Sequence, residues 1–268
     1  MTLGASGGGS PSWEAPPPFT TLDRQAWDGG AGIHAPLVEM VHNQLGGRAG
    51  PLLIAVAGSV AAGKSTFASA LAASLARRPA APVVEVVSTD GFLFTNAELA
   101  RRSLLARKGF PETYDHALIV DVLGRVARGE RDVAVPRYSH QTYDRADPPQ
   151  VLHRPDVVIV EGIHALGSPV ADLCTLLIYL DASEEHIRSW FVARFAGLVA
   201  AAADDPGSFF AAWTGMSDDE VQGLALSVWE HVNLVNLVEH ILPSRWRADV
   251  VLRKGADHAV THVATRQR

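Results

Sequence analysis

The chain has 268 residues, 47% of them in the hydrophobic set, which is enough to bury a sizeable core in one globular domain of upper-middle size. A formal net charge of −6 argues against a broad nucleic-acid surface, so an anionic ligand would need a local cluster of Lys and Arg. The single cysteine excludes an internal disulfide, and no apolar run approaches the ~20 residues that cross a bilayer.

Residues 1–18 are dominated by Gly, Ser and Pro and lack the basic start and apolar centre of a signal peptide. They are expected to form a disordered tail, and the compartment is expected to be the cytoplasm. Residues 19–48 carry FTTLDRQAW and APLVEMVHNQLGG, read as a short N-terminal helical segment. From 49 to 268 apolar strands alternate with helices. LLIAVAG is a continuous apolar run suited to a strand covered on both faces, and STFASALAASLARR follows with helical spacing and closing arginines. VVEVVSTD, DVVIVEG, TLLIYLD and ADVVLRK read as four more strands. Cys174, in ADLCTLLIYL, is expected to be a core thiol on a buried strand. The alternation implies an α/β fold, a mostly parallel sheet with helices on both faces. Residues 196–219 are less regular and read as a lid or substrate-covering element.

GSVAAGKST, between its strand and its helix, fits G-x-x-x-x-G-K-S at every fixed position. Gly58, Ser59, Val60, Ala61, Ala62, Gly63, Lys64, Ser65 and Thr66 thus form a candidate phosphate-binding loop. Its backbone amides and the helix N-terminus would face phosphate oxygens, Lys64 would reach the outer phosphates, and the Ser65 hydroxyl would face Mg2+. In an open α/β sheet, ligands sit beyond the carboxyl ends of the strands. Asp90 lies at such an end, as a base for an attacking hydroxyl or as a plain turn residue. Glu161 ends another strand and would hold Mg2+ directly or through its water shell. Tyr138, His140 and Tyr143 cluster in VPRYSHQTYDR, and could present polar groups to a substrate or be satisfied core or surface residues. Arg188 and Arg194 share a helical segment after the strand ending in Asp181; Arg188 suits a solvated face, and Arg194 could neutralise transferring phosphate.

Together with GSVAAGKST, the segments STDGFLFTNAEL, RKGFPETYDHALI, VPRYSHQTYDR, VVIVEGIHAL, SWFVARF and VNLVNLVEHILPSRWRADVVLRKGADHAV resemble the type I (bacterial-type) pantothenate kinases, P-loop kinases of the phosphoribulokinase and uridine kinase group. They occur in family order and span nearly everything from Leu52 to Val260. The resemblance implies ATP-dependent phosphorylation of the primary hydroxyl of pantothenate, with Mg2+, on the path to coenzyme A. It implies Lys64, Asp90 and Arg194 as catalytic residues. Tyr138, His140, Tyr143, Phe195, Phe210 and Asn233 would join Asp90 and Arg194 around the acceptor, and His258 would sit by the adenine. A homodimer is also consistent with the family.

The chain departs from the family in shorter stretches before the phosphate loop and after EGIHAL. Phe191 stands where W-Y-x-x-R-F has tyrosine, and Ser69 where an arginine meets coenzyme A phosphates. Weak feedback inhibition by coenzyme A is the expectation. Two other functions fit the residues: a kinase of the same fold for another small alcohol, such as a nucleoside, a sugar derivative or a pantothenate relative, and a non-catalytic nucleotide-binding regulator. Neither nucleic acid nor membrane is expected as a partner.

Overall fold

The computed structural model of the chain describes residues 19–46, 50–78 and 81–267; the tail expected over 1–18 lies outside the described residues. Among the described residues nine strands occur: β1 (Phe19–Asp23), β2 (Leu52–Gly58), β3 (Val84–Ser88), β4 (Val133–Ser139), β5 (Asp144–Leu152), β6 (Val157–Glu161), β7 (Leu176–Asp181), β8 (Val250–Lys254) and β9 (Val260–Arg266). Seven of them make one sheet in the order β1-β9-β8-β7-β2-β6-β3, and β4 pairs with β5 in a separate antiparallel hairpin. The five strands expected from apolar runs are the parallel ones, with β2 at their centre.

Burial on both faces explains why these runs need no polar alternation. Every residue of β2 and β6 is buried. Leu52, Ile54 and Val56 point to one face with Val157, Ile159 and Ile178. Leu53, Ala55 and Ala57 point to the other with Val158, Val160 and Tyr179. The first face is covered by the helices α2 (Ala35–Leu45) and α3 (Lys64–Ala76) through Leu37, Val41, Phe67, Leu71 and Leu75. The second is covered by α5 (His116–Ala127) and by Trp229, Leu237 and Ile241. Each aliphatic side chain so buried stabilises the fold by about 1.5–3 kcal/mol relative to exposure.

Short helices α1 (Arg24–Asp28), α4 (Asn96–Arg101) and α6 (Val170–Leu173) fill loops, while α7 (Glu184–Ala201) and α8 (Asp218–Val228) stand over the carboxyl ends of the strands. Ser183 caps α7 by accepting from the His186 amide at 3.2 Å, and Ser217 with Glu220 forms a capping box at α8. Beyond α8 the helix continues with two π-helical turns, Trp229–Asn233 and Leu237–Ile241.

Three expectations need correction. FTTLD, read as helical, is strand β1: it pairs antiparallel with β9 and joins the N-terminal segment to the main sheet. Its threonines suit an extended, half-covered strand, and Asp23 starts the helix instead, accepting from the Ala26 amide at 2.7 Å. Cys174 lies between α6 and β7 rather than on a strand, and is partly buried. Burial still pushes its thiol up to about 12, so it remains a packing residue. The segment read as irregular from residue 196 is regular α7 up to Ala201, followed by 3-10 turns at Ala202–Asp204 and Phe209–Trp213.

Candidate active site

The phosphate loop leaves the buried strand β2 and enters α3 at Lys64, which places the amides of a helix N-terminus at the carboxyl edge of the sheet. Two lysines brace it. Lys64 Nζ donates to the Ser59 carbonyl at 3.0 Å, and Lys254 Nζ, from the end of β8, donates to the Ala62 carbonyl at 2.8 Å. Burial lowers the Lys64 pKa and Arg194 lowers it further, while Glu161 and Asp90 pull it back up. Ser65 Oγ donates to Glu161 Oε1 at 3.0 Å, so a hydroxyl and a buried carboxylate meet beside the loop.

Asp90 sits one turn beyond β3, in the 3-10 turn Thr89–Phe92, where its amide donates to Ser88 Oγ at 3.4 Å. Gly91 is required here by close approach. A Cβ at this position would lie 2.1 Å from the Pro136 carbonyl of β4, so the hairpin can pass directly over the turn only because the side chain is absent. Arg145 of β5 clamps the same turn by donating to the Leu93 carbonyl and, at 3.2 Å, to the Phe92 carbonyl.

The hairpin tip carries Tyr138, His140 and Tyr143 as one aromatic group, with Tyr138 edge-on to both other rings. Tyr143 stacks on Phe209 at 4.5 Å between centroids. The Phe209 amide donates to the Gln141 carbonyl at 2.8 Å, and Gln141 Nε2 donates to Asp205 Oδ2 at 2.5 Å. The turn after α7 is thereby strapped to the hairpin tip.

Between these parts lies a cavity of about 330 Å³. Lys64, Asp90, Tyr138, His140, Tyr143, Arg194, Phe195, Phe210 and Asn233 all line it, as do Val60 and Ala61 of the phosphate loop. Asn233 ends the first π-helical turn, and its Nδ2 is buried without a hydrogen-bond partner among the described residues, a donor available to a bound acceptor. Gly58, Ser59, Ala62, Gly63, Ser65, Thr66 and Glu161 lie outside that lining, on the loop and its Glu161 neighbour. His258 also stands apart, stacked on Trp190 at 3.8 Å, and Trp190 Nε1 donates to the Ala256 carbonyl at 2.9 Å.

Sequence reading missed Lys108, Tyr114 and Asn236, which also line the cavity. Lys108 Nζ donates to Asn96 Oδ1 at 2.6 Å and to the Tyr143 carbonyl at 2.5 Å, and stands 4.5 Å from the Tyr143 ring centroid. Burial pulls its pKa down to about 8 against the opposing pull of Asp144 and Asp90. Its signal was present in the quoted segment RKGFPETYDHALI, as a lone lysine before a glycine.

Residues 53–194 match the Phosphoribulokinase / Uridine kinase family model. A pantothenate kinase of Sorangium cellulosum is 48% identical over 225 residues, covering 81% of this chain and 73% of that one. Pantothenate kinases of Allorhizobium ampelinum and Bacillus velezensis are 45% and 44% identical, each over 81% of this chain and over 69% and 72% of their own. Among solved structures, a putative fructose transport system kinase from a Silicibacter species superposes with a TM-score of 0.63 at 24% identity, over 76% of this chain and 92% of that one. D-glycerate 3-kinase from Cryptococcus neoformans superposes with a TM-score of 0.58 at 13% identity, over 86% and 98%. At these identities the two structures establish the fold alone.

Proposed function

Because the chain belongs to the pantothenate kinases of the phosphoribulokinase/uridine kinase family, we propose that it transfers the γ-phosphoryl group of ATP to the primary hydroxyl of pantothenate, a step of coenzyme A biosynthesis. The observation that carries this reading is that one cavity is lined both by Lys64 of the phosphate loop and by Asp90 with the hairpin aromatics. A phosphate donor and an alcohol can therefore meet there.

The roles follow from the chemistry of each group. The loop amides and the N-terminus of α3 hold the phosphates, and Lys64 neutralises charge that gathers on the γ-phosphoryl oxygens. Asp90 accepts the proton of the attacking hydroxyl, whose oxygen bonds to the γ-phosphorus as ADP departs. Arg194 faces the transferring group across the cavity. Ser65 and Glu161 offer two hard oxygen ligands, a set that fits Mg2+ held mainly by phosphates and water. That ion, held by Ser65 and Glu161, would supply positive charge to offset the phosphate oxygens. On the acceptor side, Lys108 meets the pantothenate carboxylate, Tyr138, His140, Tyr143 and Asn233 meet its hydroxyls and amide, and Phe195 and Phe210 pack its gem-dimethyl group. His258 with Trp190 forms the shelf for the adenine. We place the enzyme in the cytoplasm, as a homodimer.

Steady-state turnover with pantothenate, pantetheine and uridine side by side tests the substrate. Pantothenate is expected to support ADP release, and failure of pantothenate where another alcohol succeeds would refute the proposal. Asp90→Asn is expected to lower kcat by about 10²–10⁴-fold, with ATP affinity retained in a binding titration. Undiminished turnover in that variant would remove Asp90 as the base.

A further inference from the structure

The loop that delivers Lys108 to the cavity is closed locally by the Gly109 amide, which donates to Thr113 Oγ1 at 3.1 Å, and one of its carbonyls is held from outside. The Gly109 carbonyl accepts from His164 Nε2 at 2.8 Å and from Asn236 Nδ2 at 2.8 Å. Gly109 has φ +95°, a conformation open to glycine and strained for other residues, so backbone sterics alone do not hold its peptide plane. The Phe110 amide of that plane donates to the Arg107 carbonyl at 2.9 Å, and the two hydrogen bonds to the Gly109 carbonyl fix its other edge. Asn236 lines the cavity, whereas His164 lies behind its wall, in a second recess of about 210 Å³ with Tyr114 and His240. Its ring meets Tyr114 edge-on at 5.6 Å and His240 at 6.3 Å.

His164 also sits on the loop that leaves β6, three residues after Glu161, with Ile163 between them lining the cavity. One short loop thus touches the Ser65–Glu161 pair at one end and the Lys108 loop at the other. Burial lowers the His164 pKa to about 4, with His240 and Lys64 adding to the fall and Glu112 and the Gly109 carbonyl opposing it. The ring is therefore neutral at physiological pH, and its single N–H is committed to Gly109.

We propose that His164 is a positioning residue, which acts through the Gly109 carbonyl to place the Lys108 ammonium where it meets the acceptor's carboxylate. The proposal rests on the reading of Lys108 as the carboxylate's partner. The groups that face Lys108 are Asp144, Asp90, Tyr138 and Tyr143, whereas the described partners of His164 are Gly109, Tyr114 and His240.

The test is kcat/KM for pantothenate as a function of pH in the full chain and in three variants, Lys108→Gln, His164→Leu and His164→Gln, together with KM for ATP and Tm. In the wild type, kcat/KM is expected to fall as pH rises through about 8, because the free enzyme's ammonium loses its proton and its attraction for an anion. Lys108→Gln is expected to abolish that break. His164→Leu removes one of two donors, so the acceptor KM is expected to rise by about tenfold. The break moves to higher pH as Lys108 gains water, while KM for ATP stays constant. His164→Gln keeps an N–H donor and is expected to restore both values.

A break that survives Lys108→Gln removes the Lys108 reading and the proposal with it. A break that Lys108→Gln abolishes but His164→Leu leaves in place, with or without a change in KM, overturns the proposal alone. So does a fall in Tm with parallel shifts in both KM values that His164→Gln does not rescue, because His164 would then be packing only.

Discussion

Ser69 lies exposed on α3, one turn beyond the phosphate loop, where the resembled family places an arginine against coenzyme A phosphates. A serine there offers no cation, so coenzyme A is expected to compete only weakly with ATP. Ser69→Arg is expected to strengthen inhibition by about tenfold, measured as an inhibition constant against varied ATP. Potent inhibition of the wild type would contradict this account. The same scale shows which residues a sequence discloses. Lys64, Ser65, Asp90 and Glu161 are legible because a fixed spacing or a strand end marks them. Lys108 and Asn236 are not, because a lysine in a loop and an asparagine in a helix look like solvated residues until the chain folds them around one space. Tyr138, His140 and Tyr143 had two open readings, and the structure places all three on one cavity.

At the scale of elements, the β4–β5 hairpin carries the acceptor side of the proposed function, and Gly91 sets how closely the hairpin docks. Gly91→Ala puts a methyl group 2.1 Å from the Pro136 carbonyl and 2.7 Å from its carbon, so the hairpin must lift. The expected outcome is a higher pantothenate KM and a lower kcat, with KM for ATP little changed. A stability loss of about 1–3 kcal/mol accompanies it, read from thermal melts. Unchanged acceptor kinetics would show that the hairpin does not set the pocket. The central parallel strands β2, β6 and β7 were legible because each opens as an unbroken apolar run. The hairpin is hard to read from sequence as strand or loop, since DRADPPQVL mixes charges and prolines within a partly exposed β5. The π-helical turns left no trace in residue spacing, because their widening depends on tertiary contacts.

At the scale of the molecule, the sheet ends on one side with two strands that composition did not reveal. VTHVATR and FTTLD mix polar and apolar residues without a continuous apolar run, and neither is buried throughout. Removing residues through Asp23 leaves β9 paired with β8 alone and removes Phe19, whose burial contributes about 2 kcal/mol. Tm is expected to fall by about 4–8 °C in a chain of this size, measured by circular dichroism. A melt that does not move would mean that the N-terminal segment is independent of the sheet. Among the described residues, no helix is long and apolar enough to cross a membrane.

The nucleotide half is built into the sheet, while the alcohol half hangs from it as two segments fastened together by Gln141, Asp205 and the Tyr143–Phe209 stack. On the proposed function, the two segments are expected to act as one unit in choosing the alcohol. Exchanging hairpin and cover together with a homologue would re-aim the enzyme at a new alcohol without disturbing its phosphoryl donor. Exchanging either alone would leave an aromatic face uncovered and a carbonyl unmatched, which makes coordinated change in both segments the accessible route to new chemistry on this scaffold.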